Sequence, residues 1–584
     1  MNDVLRQTCA ALISLALIAC DGREPASVSD LERVGGAAEL EAHSAVFEQR
    51  IENPAPGVYV AIGYALANSI WIEGDDGAIV VDTTESRGAA EAVLAAFREV
   101  SKKPVVAIIY THNHADHIMG ASIFSEGRDV PVYAHETLPK HVRRVMSVIT
   151  PTIETNAMRM FGEKLAEGGE RIVNDGIGPE LRQLSASDGL GSRGYLPPTQ
   201  VFGDRLSVTI SGIDLELIHS PGETDDQLVV WLPEQRILLP GDNIYKAFPN
   251  LYTIRGTPYR DVRKWSDSVR AMAELKPLVM VPSHTEPVFG EGEIEQLLND
   301  YADAIQFVHD QTVRLINQGM RPDEIVQVLT LPANLSNHAW LRPFYGTVAW
   351  SVRSVYTGYL GWFDGDGIDL FPTPQAERGA KLVALMGGVD RVLTEAEIQL
   401  TENPQWAAEL ASLALYAESS DERAKLLKAA ALRTMAADMI NPNARNWYLT
   451  EALELEGKIV IEPRPGDDAR LKFAQSFPIE NILEMMRVSL NPAKTEGVNA
   501  TMAFTFPDQS KRFLLTVRNN VLLIDPIDEL PTDTVEVELN ATDWVALITQ
   551  HDSFPAALAS GRLRVVNGVT DISAVIRFLS MFAN

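Results

Sequence analysis

Val105-Val106-Ala107-Ile108-Ile109-Tyr110-Thr111-His112-Asn113-His114-Ala115-Asp116-His117 is the stretch that decides the fold. Its apolar run, bounded by Pro104 and a polar turn, predicts a strand buried on both faces. Four groups able to bind a metal then fall within six residues. At a strand end, alternation puts His112 and His114 on one face, where together they can hold one ion. Asp116 and His117 follow on the turn into the next helix and reach a second ion a few ångströms away. Two metals about 3.5–4 Å apart can share a hydroxide and deliver it as a nucleophile at neutral pH. Polar turn residues beside a core are the plain alternative, but so many close polar groups are costly without a ligand.

Working outward, Val58–Ile62 and Ser69–Ile72 read as strands, and Asp75-Asp76-Gly77 supplies a hairpin turn before Ala78–Asp82. Gly88 to Ser101 has helical spacing and ends in basic residues and Pro104. This strand–helix–strand alternation predicts an α/β layer structure. A similar pattern runs from Val201 to Leu239, turning at Pro233-Glu234-Gln235, and a third βα unit ends at Leu278-Val279-Met280-Val281. The first domain is expected from about residue 40 to about 370. From 373 to about 460 the composition shifts to Ala, Leu, Glu, Lys and Arg with helical spacing, which suits packing or dimerisation better than chemistry. Glu462 to Asp468 reads as a linker. Residues 469–584 then read as α+β, with strands at Ala500–Phe506, Arg512–Val517 and Val535–Leu539 and helices at Ala541–Ile548 and Ile572–Phe582.

A chain of 584 residues is too long for one core. Its net charge of −29 argues against nucleic-acid or anionic-membrane surfaces, so an anionic small substrate needs a local positive site. The apolar run from Cys9 to Ala19 is too short to span a bilayer and reads as a targeting segment. Its end, Leu17-Ile18-Ala19-Cys20, resembles a bacterial lipobox. That resemblance implies a signal peptide over 1–20, lipidation of Cys20 and a periplasmic, membrane-anchored protein; an ordinary signal peptide with a chance cysteine is the alternative. Cys9 and Cys20 are the only cysteines, so a disulfide is not expected in the mature chain and metal ligands must be His and carboxylates.

The motif at 111–117 resembles the metallo-β-lactamase superfamily, and further elements of that pattern follow in order. Asn68 and Asp82 match its early strand features, and His219-Ser220-Pro221-Gly222-Glu223-Thr224 its Pro-Gly-His-Thr element, with Glu223 where His is usual. Gly241-Asp242-Asn243 and Pro282-Ser283-His284 complete the set. With Glu at 223, the chain resembles the alkylsulfatases, bacterial hydrolases of linear alkyl sulfate esters. Asn250-Leu251-Tyr252-Thr253-Ile254-Arg255-Gly256, followed by Arg260-Asp261, is similar to their sulfate-binding segment. Tyr345–Arg353 through Gly361–Gly365 resembles the end of their catalytic domain. The resemblance implies an αββα sandwich, an all-α dimerisation domain and a sterol-carrier-protein-like C-terminal module with a groove for an alkyl chain. It implies two zinc ions, one on His112, His114 and Glu223 and the other on Asp116, His117 and His284, bridged by Asp242. The bridging residue is usually Glu in that family. Arg255 and Asn250 would hold sulfate, Tyr195 would line the pocket mouth, and His338 would serve as general acid or sulfate donor. Plain packing for Tyr195 and a surface salt bridge for Arg255 are the alternatives. So are hydrolysis of a phosphodiester, thioester or lactam on the same fold, and a tethered lipid-binding protein with an idle metal site.

Overall fold

The computed structural model describes residues 36–582 apart from 167, 169, 181–193, 463–470, 472–473, 476, 550 and 567–571. The leader with Cys9 and Cys20, and most of the linker expected at 462–468, lie outside the described residues. Among the described residues no helix is long and apolar enough to cross a membrane.

Two sheets face each other in the first domain. One runs β1 (Arg50–Ala55), β2 (Val58–Ile62), β3 (Ser69–Glu73), β4 (Ala78–Val81), β5 (Val105–Ile109), β6 (Val132–His135) and β7 (Gln200–Phe202), paired in sequence order. β1 to β4 are antiparallel, whereas β4 to β7 are parallel. The second contains β8 (Arg205–Ile210), β9 (Ile213–His219), β10 (Leu228–Leu232), β11 (Ile237–Leu239), β12 (Val279–Met280) and β13 (Val288–Phe289). Turns at 74–77 and 233–236 close the β3–β4 and β10–β11 hairpins where Asp75-Asp76-Gly77 and Pro233-Glu234-Gln235 stand.

Alternation along the strands sorts side chains into layers. Val58, Val60, Ile70, Ile72, Ile79, Val81 and Ile109 point inward and meet Leu215, Leu217, Leu228, Val230 and Leu239 of the second sheet. Their strand neighbours Trp71, Val80 and Ile108 face outward, against Ala90, Val93 and Phe97 of helix Arg87–Val100. On the other side, Trp231 and Leu238 meet Trp265 and Val269 of helix Val262–Glu274 and Ile294, Leu298 and Tyr301 of helix Glu291–Asn317. The result is an αββα sandwich.

Helix Val348–Leu360 packs Val352 and Val355 into this outer layer. Five helices follow between Gln375 and Leu455. The C-terminal unit is a sheet ordered β16 (Val521–Pro526), β15 (Lys511–Arg518), β14 (Asn499–Phe506), β17 (Val535–Leu539), β18 (Leu563–Val565). Helices Ile479–Ser489, Ala541–Ile548 and Ile572–Ser580 cover it. β16 and β18 were not read from the sequence; both are edge strands, β16 buries only Leu522 fully and β18 is three residues long.

Candidate active site

The loops at the carboxyl ends of β4, β5, β9, β11 and β12 converge on one point. β5 ends at Ile109, and Thr111-His112 follow before the short helix Ala115–Ile118. This turn carries His112, His114, Asp116 and His117. The β9–β10 loop brings Glu223, the turn after β11 brings Asp242, and the segment after β12 brings His284.

These seven side chains form two donor groups that share a residue. His112, His114, Glu223 and Asp242 offer atoms within 4.8 Å of one another, and so do Asp116, His117, Asp242 and His284. Asp242 Oδ2 lies 3.6 Å from His112 Nε2 and 3.3 Å from His117 Nε2, while its Oδ1 lies 3.2 Å from His284 Nε2. One carboxylate thus faces both groups.

The charges in the cluster are set for a cation. Burial opposes an imidazolium at His117, but Asp242, Asp116 and Asp82 outweigh it and hold its pKa well above the ordinary value. His284 is raised against burial by Asp242. Burial would also raise Asp116, yet His117 and His284 bring it down to about 2. Burial, then repulsion from His117, lowers His112 to about 3; burial, then His112 and Arg255, lowers His114 well below its usual range. Burial pushes Glu223 up to about 8 against the pull of Arg260. Asp242 and Asp116 therefore draw positive charge to His117 and His284, whose ring nitrogens would hold a metal.

Satisfaction of polar atoms gives the same result. His117 Nε2, His284 Nε2, Asp242 Oδ1 and Glu223 Oε2 are buried with no hydrogen bond. Buried polar atoms left in this way are expensive, and a bound cation satisfies all of them. The opposite ring nitrogens are engaged. His117 Nδ1 lies 2.8 Å from Asp82 Oδ2, and His284 Nδ1 lies 2.9 Å from the Leu66 carbonyl. Thr111 Oγ1 stands 3.1 Å from His112 Nδ1. Such outer partners fix ring orientation and leave Nε2 for the ion.

Beside the cluster opens a cavity of about 240 Å³ whose wall includes His114, Glu223, His141, Arg144, Arg255 and Arg260. Arg255 thus shares this cavity with two of the donors. Asn250 is 1% exposed, and neither its Oδ1 nor its Nδ2 has a hydrogen bond, although its backbone N–H donates to Tyr245 Oη at 2.7 Å. Arg260, which the sequence placed in the segment similar to a sulfate-binding one without a role of its own, gains one here. It is buried, donates from Nη1 to Glu223 Oε1 at 2.6 Å and bonds the Asn250 carbonyl, so it orients the carboxylate that replaces a histidine. A buried Arg is indistinguishable from a surface one in a single sequence, and only its partner reveals it.

Two candidates fall elsewhere. Tyr195 is 5% exposed and stacks between Tyr110 and Phe477, with ring centroids 6.2 and 5.8 Å away. It fastens the C-terminal unit to the first domain and does not line the cavity; the aromatic before two prolines is spent on packing. His338 caps the 3₁₀ turn Ala339–Leu341, accepting from the Trp340 amide at 3.2 Å, with Nε2 3.8 Å from Asp300. It lies outside the donor groups and the cavity wall.

The metallo-beta-lactamase superfamily model matches residues 63–284, the alkyl sulfatase dimerisation model residues 321–458 and the alkyl sulfatase C-terminal model residues 468–584. A linear primary-alkylsulfatase of Pseudomonas sp. (strain ATCC 19151) is 36% identical over 86% of this chain and 97% of its own length. The chain belongs to the alkyl sulfatase family. The alkyl/aryl-sulfatase BDS1 of Saccharomyces cerevisiae is 28% identical over 90% of this chain and 81% of that protein. The solved structure of the stereoselective inverting sec-alkylsulfatase Pisa1 from Pseudomonas sp. is 25% identical and superposes with a TM-score of 0.82, covering 91% of this chain and 84% of that one. As an alkyl sulfatase on this fold, the protein is a sulfuric ester hydrolase that uses a metal cofactor. The dimerisation model begins at 321, ahead of the boundary near 370 expected from the sequence, and takes in helix Val348–Leu360, which packs into the outer layer of the sandwich.

Proposed function

We propose that this protein is a dinuclear zinc enzyme that hydrolyses linear alkyl sulfate esters of the dodecyl sulfate type to the alcohol and inorganic sulfate. The observation that carries it is the meeting of two donor groups at Asp242 beside a cavity that also holds Arg255. Nitrogen and carboxylate donors without thiolate suit zinc, and four atoms per group suit its usual coordination number. The ions, when bound, supply Lewis acidity and an activated water.

The chain's own residues then do the rest. The guanidinium of Arg255, on the cavity wall, offers paired N–H donors to sulfate oxygens. Asn250 is not a wall residue, and its unpartnered amide would add a neutral donor from beside Arg260, which bonds its carbonyl. Arg260 holds Glu223 in place. Asp82 orients His117. In a chain of net charge −29, these arginines supply the local positive field that an anionic ester needs.

The leader with Cys20 supports a periplasmic, lipid-anchored location, and the helical domain supports a homodimer. The test is an assay with dodecyl sulfate in ¹⁸O-labelled water together with metal analysis. Wild type is expected to release sulfate and to bind about two zinc ions per chain. Arg255→Ala and Glu223→Ala are expected to lose about 100-fold or more in kcat/KM. Sulfate release that survives both substitutions sinks these roles. Label in the alcohol reports attack at carbon, and label in sulfate reports attack at sulfur.

A further inference from the structure

The volume of the cavity raises the question of where a long alkyl tail goes. At about 240 Å³ it falls below the roughly 300–1,000 Å³ of pockets that enclose drug-sized ligands. It suffices for a sulfate head and the first carbons. A dodecyl chain must leave it, and apolar surface at the exit would lower the cost of that.

Tyr259 stands at this exit. It lines the cavity together with Pro258 and Val145 and is 46% exposed, so the residue belongs both to the cavity wall and to the surface. Its ring lies directly on Gly358, in the last turn of helix Val348–Leu360. A Cβ at position 358 would come within 2.2, 2.4 and 2.6 Å of three ring carbons, so only glycine admits the ring there. Glycine in a helix otherwise costs about 1 kcal/mol relative to alanine, and here the close approach explains it. The neighbouring Tyr359 is 55% exposed; burial, then the Asp261 carboxylate, raises the Tyr259 phenol to about 12. The Tyr259 ring therefore stays neutral at ordinary pH.

We infer that Tyr259, seated on Gly358, is the wall along which the substrate's alkyl tail leaves the cavity, and that it sets the preference for long chains. This rests on the alkyl sulfate reading above. Each methylene laid on such a wall is worth about twofold to fourfold in affinity, depending on how much of it leaves water.

The test uses the metal-loaded enzyme and alkane sulfonates, whose carbon–sulfur bond is not an ester and is not hydrolysed. Dissociation constants for dodecane-1-sulfonate and hexane-1-sulfonate are measured by calorimetry below their micellar concentrations. Wild type is expected to favour the longer ligand. Tyr259→Ala should reduce that preference about tenfold while hexane-1-sulfonate binding stays within twofold. Gly358→Val, which touches no ligand, should do the same by dislodging the ring, and Tyr259→Phe should retain the preference. A preference unchanged in both Tyr259→Ala and Gly358→Val overturns the inference, as it would if a second copy of the chain covered this wall. Equal losses for both ligands overturn it too, because they mark a general disturbance of the site. Chain-length-dependent sulfonate binding without sulfate release from dodecyl sulfate would refute the enzymatic reading and leave the wall standing.

Discussion

Asp82 holds more of the site together than any ligand does. Its carboxylate accepts from the Thr111 amide and hydroxyl, each at 2.9 Å, and from Ser283 Oγ at 2.8 Å, and it lies 2.8 Å from His117 Nδ1. It is wholly buried and sits at φ +61°, a left-handed conformation that Asp and Asn tolerate better than most residues. Asp82→Asn keeps that backbone but removes the charge facing His117. Metal affinity is expected to fall about 10- to 100-fold, as measured by competition with a chromophoric chelator. Unchanged affinity would show that Asp82 only shapes the turn. The Asp was legible in the sequence as a match to a family feature. Its tie to Ser283, 201 residues away, was not, because no local pattern encodes that contact.

At the scale of elements, the loops matter as much as the strands. Asn243 staples the Glu223 loop to the turn carrying Asp242: its Oδ1 accepts from the Glu223 amide at 3.1 Å and its Nδ2 donates to the Ser220 carbonyl at 2.7 Å. A Cβ at Gly222 would fall 2.0 Å from that Oδ1, so the glycine of this loop is required by close approach. Helix Gly36–His43, which sequence reading did not predict, is anchored by tertiary contacts: Glu39 pairs with Arg342 at 2.7 and 2.9 Å, and His43 stacks on Phe344 with its Nε2 2.8 Å from the Gly176 carbonyl. Burial lowers His43 to about 4 from 6.5. The folded ring stays neutral where the unfolded ring gains a proton, so its contribution is intact above pH 6.5. It is lost as pH falls toward 4, by about 3 kcal/mol at most. Thermal melts of wild type should show that loss, and His43→Gln should flatten it. Identical slopes in the two proteins would rule His43 out as the source.

The whole molecule couples three units around one site. The column Tyr110–Tyr195–Phe477 joins the first sheet to the C-terminal unit, and Arg159 forms a paired salt bridge to Glu454 of the helical domain. Large side chains stand in solvent within the residues matched by the dimerisation model, among them Phe371 at 95%, just ahead of the helical domain, and Leu385 at 84%, in its first helix. Their place within the dimerisation match makes them the candidates for the contact between copies. A Phe371→Asp, Leu385→Asp double variant is expected to raise the dimer dissociation constant at least tenfold, about 1.4 kcal/mol, in sedimentation experiments. An unchanged sedimentation profile would place the contact elsewhere on the domain.

The sequence by itself determined the α/β layering, the order of three units and the cluster from His112 to His117, because strand alternation, helical spacing and ligand spacing are local. Glu223, Asp242 and His284 were singled out by their resemblance to a family pattern, since each short motif alone is ordinary turn sequence. The split into two donor groups with Asp242 between them was an expectation carried by the family resemblance, and the tertiary structure brings the atoms of each group within 4.8 Å of one another. Only the tertiary structure found the partner of Glu223 in Arg260 and moved Tyr195 and His338 out of the site. The physical reason is the range of the interactions. Periodicity acts over a few residues, whereas a carboxylate's partner, an aromatic's stacking neighbour and the space over a glycine are set by chain segments tens to hundreds of positions away.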